Sequence, residues 1–130
     1  LINTTDIGTY TESKVLSALL KQGKRVLIPF GGGARYDIVV DDNNKFIRIQ
    51  CKTARLREGC LLFNSRSDGR NGKVYPYQGD ADFFGVYSPD TDKVYLVPIS
   101  IIPNGHGTLR IDRPGSAHPN IKYAEDYIIR

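Results

Sequence analysis

Apolar residues recur along the chain in two rhythms, and each rhythm predicts an element. Over residues 4–22, Val15, Leu16, Leu19 and Leu20 fall at helical spacing. Thr5 or Asp6 stands where an N-terminal cap belongs, and Gly23 supplies a stop. A β-rich run at 25–30 ends at Gly31, Gly32 and Gly33. Alternation then predicts a strand at 36–40, a tight turn at Asp41-Asp42-Asn43-Asn44 and a returning strand at 45–53. Further short strands are expected at 60–64 and 109–111, with a second hairpin pairing 83–87 and 93–97 and a short terminal element at 123–129. Residues 65–79 have no apolar period, which predicts a loop long enough to be functional. One helix followed by mostly antiparallel strands predicts an α+β domain, its central sheet partly covered by the helix.

Composition narrows the class without naming it. A length of 130 residues suits one domain, 1–130, with one core. At 40% apolar and 25% charged, the chain should fold rather than stay disordered. No apolar run approaches the roughly 20 residues that cross a bilayer, and the N-terminus lacks a signal-peptide pattern. The expectation is a soluble cytoplasmic protein with no membrane partner. Cys51 and Cys60 have neither metal-ligand spacing nor a disulfide framework and should pack as reduced small residues. His106 and His118 have no paired cysteines, which argues against structural zinc. Gly31 to Gly33 are followed by no P-loop lysine, so they should simply turn the chain ahead of Asp37. Phe83, Phe84, Tyr87 and Tyr95 are expected to pack rather than stack on bases.

Charge adds a direction. The net charge is +4 with a pI near 9.1, and its distribution says more than its size. Arg48, Lys52, Arg55, Arg57, Arg66, Arg70 and Lys73 crowd the middle of the chain, opposed there by Glu58 and Asp68. Clustered positive charge favours a polyanionic partner. Arg55 and Arg57 follow the 45–53 strand directly. Arg66, Arg70 and Lys73, with Tyr75 and Tyr77, occupy a segment that would enter a groove of DNA. A solvated, flexible set of loop charges is the plain alternative.

The candidate chemistry lies on the first hairpin. Side chains alternate across a strand, so Phe46, Arg48, Gln50 and Lys52 share one face while Ile47, Ile49 and Cys51 face the core. Asp37 sits on the neighbouring strand beside the apolar run Ile38-Val39-Val40. A surface ion pair would account for these three groups on spacing alone. Glu12 adds to them, because it precedes Val15, Leu16 and Leu19 by three, four and seven positions and so falls on the helix's apolar stripe. A carboxylate there needs a cation or metal as partner, unless it merely enjoys the helix start. Gly8, one turn earlier, would admit a close backbone.

Glu12, then Tyr36-Asp37, then Ile49-Gln50-Cys51-Lys52 form a pattern that resembles the PD-(D/E)XK nuclease superfamily. Asp37 matches the motif aspartate, Lys52 the motif lysine and Glu12 the helix glutamate. Gln50 stands where a second acid is usual, a variant similar to that of homing endonucleases encoded in bacterial group I introns. The runs Arg35-Tyr36-Asp37-Ile38-Val39-Val40-Asp41 and Arg48-Ile49-Gln50-Cys51-Lys52-Thr53 resemble that subfamily, as do Gly85-Val86-Tyr87-Ser88-Pro89, Val94-Tyr95-Leu96-Val97-Pro98 and Tyr123-Ala124-Glu125-Asp126-Tyr127.

The resemblance implies a restriction-endonuclease-like fold with a central mixed β-sheet flanked by the N-terminal helix. It also implies a site-specific endonuclease acting on double-stranded DNA. Glu12, Asp37, Gln50 and Lys52 would be its catalytic set. Mg²⁺, with Mn²⁺ as a substitute, would be held by Asp37, Gln50, the Cys51 backbone carbonyl and Glu12. Cutting both strands implies a homo-oligomer, a dimer or a tetramer. A Holliday-junction resolvase, a restriction-type nuclease and a DNA-binding module that has lost catalysis remain open alternatives at this point.

Overall fold

A computed structural model describes residues 3–68, 74–75, 77, 79–112 and 120–130. The chain opens with helix α1 (Thr4–Lys21). Its cap is Asn3 rather than Thr5 or Asp6: the Asn3 Oδ1 accepts from the Asp6 N–H at 2.8 Å. Asparagine caps as well as aspartate, and this frees Asp6 to lie in the first turn, where the helix dipole favours it. At the other end Gly23 takes φ +80°, the left-handed turn its sequence position predicts.

Among the described residues ten strands follow. They are β1 (Arg25–Leu27), β2 (Ile38–Asp42), β3 (Lys45–Thr53), β4 (Arg55–Arg57), β5 (Cys60–Asn64), β6 (Ser67–Asp68), β7 (Val74–Tyr75), β8 (Phe83–Ser88), β9 (Lys93–Pro98) and β10 (His106–Arg110). The main sheet runs β1-β2-β3-β8-β9. It is mixed: β3 and β8 are parallel and the other neighbours antiparallel. Asn43 and Asn44, at φ 47° and 71°, join β2 to β3 in the two-residue turn that right-twisted strands favour.

Three boundaries differ from the sequence reading. Pro29 lacks an N–H, and β1 ends at Leu27, leaving Ile28 and Phe30 exposed. Strand β2 begins at Ile38, with Asp37 just outside it. The strand expected at 109–111 lies instead at His106–Arg110. Within 65–79, the described backbone includes the short β6-β7 ribbon. The terminal element is one 3₁₀ turn, Ala124–Asp126, flanked by bridges to Tyr95 and Arg110.

The main sheet is packed on both faces. Helix α1 covers one, where Val15 and Leu19 meet Ile38, Val40, Ile49, Tyr87 and Val94. The other is covered by a three-stranded sheet, β10-β5-β4, which brings Leu61, Phe63 and Leu109 against Phe84, Val86, Tyr95 and Val97. Strand β4 was not foreseen, because Arg-Leu-Arg has no apolar run to announce it.

Two glycines record how close these layers come. A Cβ on Gly85 would stand 2.8 Å from Val15 Cγ1 and 3.0 Å from Ile49 Cγ2, so β8 lets α1 settle directly onto the sheet. A Cβ on Gly107 would strike the Phe63 ring at 2.2 Å, so the small sheet is pinned from beneath. Gly8, expected to admit a close backbone, is exposed, with no described atom within 4 Å of a built Cβ. The close approach is made by Gly85. Among the described residues no helix is long and apolar enough to cross a membrane.

Candidate active site

Strand β3 outruns β2. The last ladder pair is Ile38 with Ile49, so Gln50 to Thr53 continue with β8 on one side and no strand on the other. Asp37 fills the first step of this gap. Its N–H donates to the Ile49 carbonyl at 2.8 Å, and its Oδ2 accepts from the Cys51 N–H at 2.8 Å. The carboxylate is thereby fixed at the end of the sheet. Backbone groups alternate along a strand, so the Cys51 carbonyl points to the same open edge. Side chains alternate too: Gln50 and Lys52 share one face of β3, and Gln50 is the first residue past the last β2 pair.

Glu12 arrives from the helix. The buried centre of the α1 stripe is Thr11, Val15 and Leu19, and Glu12 lies on its flank, half-buried. Burial pushes its carboxyl up to about 7, and a hydrogen bond to Asp37 and repulsion from its charge push the same way. The Glu12 carboxyl therefore faces Asp37 and is hydrogen-bonded to it. They line an open concavity of about 290 Å³ whose far wall is the turn of Gly31, Gly32 and Gly33. Gly31 and Gly33 have φ of +86° and +93°, which lets the chain double back ahead of Asp37 as expected.

A hydrogen bond between two hydroxyls ties helix to strand beside these groups. Thr11 Oγ1 and Thr53 Oγ1 are 2.6 Å apart, and each residue neighbours a site residue, Glu12 and Lys52. Thr11 was overlooked, although it stands four residues before Val15 and so on the stripe. Lys52 is held by Tyr77: its Nζ donates to the Tyr77 hydroxyl at 3.1 Å and lies 4.7 Å from the ring centroid. It also reaches the Arg66 carbonyl at 3.5 Å. Tyr77 is buried and packs edge-on against Phe84. It is thus a support for the lysine and does not enter a groove.

Cys51 packs beneath the site. Burial raises its thiol pKa, and the charges of Asp37 and Glu12 raise it further, so it stays protonated. Cys51 and Cys60 are both free, as expected. Among the described residues no three His, Cys, Asp or Glu side chains cluster as a metal site. The hard oxygens gathered here are two carboxylates, and the register adds the Gln50 amide and the Cys51 carbonyl.

The basic residues that crowd the sequence separate in space. Arg48 is locked to Asp82, with Nη2 to Oδ1 at 3.1 Å and Nε to Oδ2 at 3.3 Å, and donates to the Gly79 carbonyl at 2.9 Å. The pairing lowers the Asp82 pKa. Arg48 therefore offers little to a phosphate. Arg55 and Arg57 are exposed on β4, and Arg66 is exposed just beyond β5. Arg70 and Lys73, and the Tyr75 side chain, lie outside the described residues. His118 does too.

Comparison with known proteins gives three findings. Residues 2–130 match the family described as PD-(D/E)XK endonuclease. The fold superposes on that of a bacterial homing endonuclease, I-Ssp6803I, at TM-score 0.76 and 21% identity, covering 97% of this chain and 89% of that one. Hjc, a Holliday junction resolvase from Archaeoglobus fulgidus, aligns at TM-score 0.49 and 19% identity over 79% of this chain and 83% of its own. No curated protein sequence matches the chain.

Proposed function

The chain belongs to the PD-(D/E)XK endonuclease family, and from that premise we propose that it is a divalent-metal-dependent, site-specific endonuclease of double-stranded DNA, of the homing type. The observation that carries the reading is the Glu12–Asp37 pair, two carboxyl groups brought together at the open end of β3, the strand that carries Gln50 and Lys52.

The donor set fits a hard cation. Burial and the charge of Asp37 disfavour ionisation of Glu12 in its absence, and oxygen ligands of this kind suit Mg²⁺, or Mn²⁺ in its place. Asp37, Glu12, the Gln50 amide oxygen and the Cys51 carbonyl would hold it. When bound, the ion would supply Lewis acidity at the scissile phosphate and at the attacking water.

The chain's own groups do the rest. Asp37 is held in place by the Cys51 N–H, so its ligand geometry is set before substrate arrives. Lys52 directs its ammonium to the charge that develops on the phosphate oxygens, where a fixed cation is most effective. Tyr77 limits the positions that ammonium can take. Arg55 and Arg57 on β4 and Arg66, whose carbonyl meets Lys52, would grip the backbone beside the cut; Arg70 and Lys73 are proposed to join them. One site cuts one strand, so double-strand cleavage requires a two-fold homo-oligomer, a dimer or a tetramer.

The test is nicking of supercoiled plasmid with Mg²⁺ and with EDTA. Wild type should cut only with the ion. Lys52→Ala and Asp37→Ala should bind DNA and fail to cut; retained cutting by either would overturn these roles.

A further inference from the structure

The three-stranded sheet covers the core with one face and leaves the other to solvent. On the inner face Leu61, Phe63 and Leu109 are buried. The outer face is set by register. Asn64 pairs with His106, Leu62 with Arg55 and Thr108, and Cys60 with Arg57 and Arg110. The outward rows are therefore Asn64 with His106, then Arg55 with Thr108, then Arg57 with Arg110.

Three features make this face more than a solvated surface. It is concave, with open hollows of about 360 Å³ at Arg55, Asn64 and His106 and about 640 Å³ at Arg57, Thr108 and Arg110. It is basic on balance: Arg55, Arg57 and Arg110, with Lys122 beside Arg110, are set against Glu58 in the β4-β5 turn, Asp112 past β10 and Asp90, whose Oδ2 accepts from the Leu56 N–H at 2.9 Å. None of the three arginines makes an ion pair among the described residues. Arg110 donates its Nε to the Asp112 carbonyl at 3.0 Å, which steadies the side chain and leaves its charge available. Finally, it begins at the candidate active site, since β5 runs out through Asn64 to Arg66, whose carbonyl meets Lys52.

We propose that the outer face of β4-β5-β10 is the surface on which duplex DNA lies, with Arg57 and Arg110 on phosphates and Asn64, His106 and Thr108 turned toward base edges. This rests on the nuclease reading above and extends its two β4 arginines to β5 and β10 of the same sheet. Charge complementarity selects a polyanion, and the polar rows between the arginines supply groups that read bases. At roughly 3.4 Å per residue, the Arg57 row stands on the order of 20 Å from Lys52 along β5, or about six base steps. The Phe63 ring under Gly107 keeps the platform rigid.

The test uses a mixed-sequence 40-base-pair duplex, with binding followed by anisotropy in EDTA and cutting followed on plasmid in Mg²⁺. The Arg57→Ala/Arg110→Ala protein should bind about tenfold to a hundredfold more weakly, with the slope of log affinity against log salt reduced by about 2. Lys45→Ala/Lys93→Ala, exposed elsewhere, is the control and should match wild type. The slope distinguishes lost phosphate contacts from misfolding, which would abolish binding outright, and circular dichroism checks the fold. If wild type cuts and the double variant keeps its affinity and slope, the surface is wrong and the nuclease reading stands. If wild type binds through these arginines but never cuts, the surface stands and the nuclease reading falls. Binding of neither duplex nor plasmid overturns both. Equal affinity for duplex RNA, lost with the same arginines, would overturn DNA as the occupant.

Discussion

Metal-free protein should become less stable as pH rises through neutrality, and Glu12 should be the cause. Its carboxyl titrates near 4.5 in an unfolded chain and is raised to about 7 in the folded one. For an acid whose folded pKa is raised, the unfolded state releases its proton first. Stability from the protonated form is complete below about pH 4.5, declines between 4.5 and 7, and is gone above 7. At about 1.4 kcal/mol per unit the shift sets a ceiling near 3 kcal/mol. Glu12 is partly exposed, and solvent screening brings the expected loss to about 1–3 kcal/mol. Glu12→Gln keeps the shape and removes the ionisation. Urea unfolding in EDTA at pH 5 and pH 8 should show wild type losing that amount relative to the variant. Adding Mg²⁺ at pH 7 should release about half a proton per site, since the ion competes with the Glu12 proton. Parallel pH profiles for wild type and variant would refute the coupling of Glu12 to Asp37.

Four further outcomes are expected. Gly85→Ala forces a methyl against Val15 and Ile49 and should lower stability by about 1–3 kcal/mol in thermal melts, and turnover with it, as α1 and Glu12 are displaced. Tyr77→Phe removes the hydroxyl from Lys52 and keeps the ring; it should lower the single-turnover cutting rate with little change in DNA affinity, while Tyr77→Leu should lower the rate further. Arg48→Ala takes the guanidinium from Asp82, leaving it the backbone N–H of residue 48, and should cost about 1 kcal/mol in urea unfolding, yet leave the salt slope of DNA binding unchanged, unlike Arg57→Ala. Gln50→Glu should raise Mg²⁺ affinity, measured by calorimetry, and steepen the loss of metal-free stability between pH 5 and 8.

How much of this was legible depended on whether each feature was local. Alternation placed β3 at 45–53 and put Gln50 and Lys52 on one face, because a strand's period is set by its own backbone. The Asn43-Asn44 turn was visible for the same reason. Glu12 was found by helical spacing, although the centre of the stripe proved to be Thr11. What escaped notice was settled at long range. Arg48 reads as part of a basic cluster until the fold brings Asp82 to it across 34 residues. Tyr77 looked like a loop aromatic because nothing near it in sequence shows that its ring meets Phe84 and Lys52. Strand β4 has two arginines in three residues, and only its pairing with β5 makes it a strand.

The amide at Gln50 follows from the charge the site must hold when no ion is present. Burial and the charge of Asp37 already hold the Glu12 carboxyl up to about 7. A third carboxylate at position 50 of β3 would add repulsion at the point where β2 stops and Asp37 is steadied by the Cys51 N–H, the Ile49 carbonyl and Glu12. Lys52 offsets little of it, since Tyr77 and the Arg66 carbonyl hold its ammonium toward the small sheet. With an amide, the metal-free fold carries one fewer buried charge and the ion loses one anionic ligand. On the proposed function, substrate phosphate makes up that difference. Full assembly of the site would then await DNA seated on the neighbouring sheet, which ties cleavage to correct docking rather than to metal concentration alone.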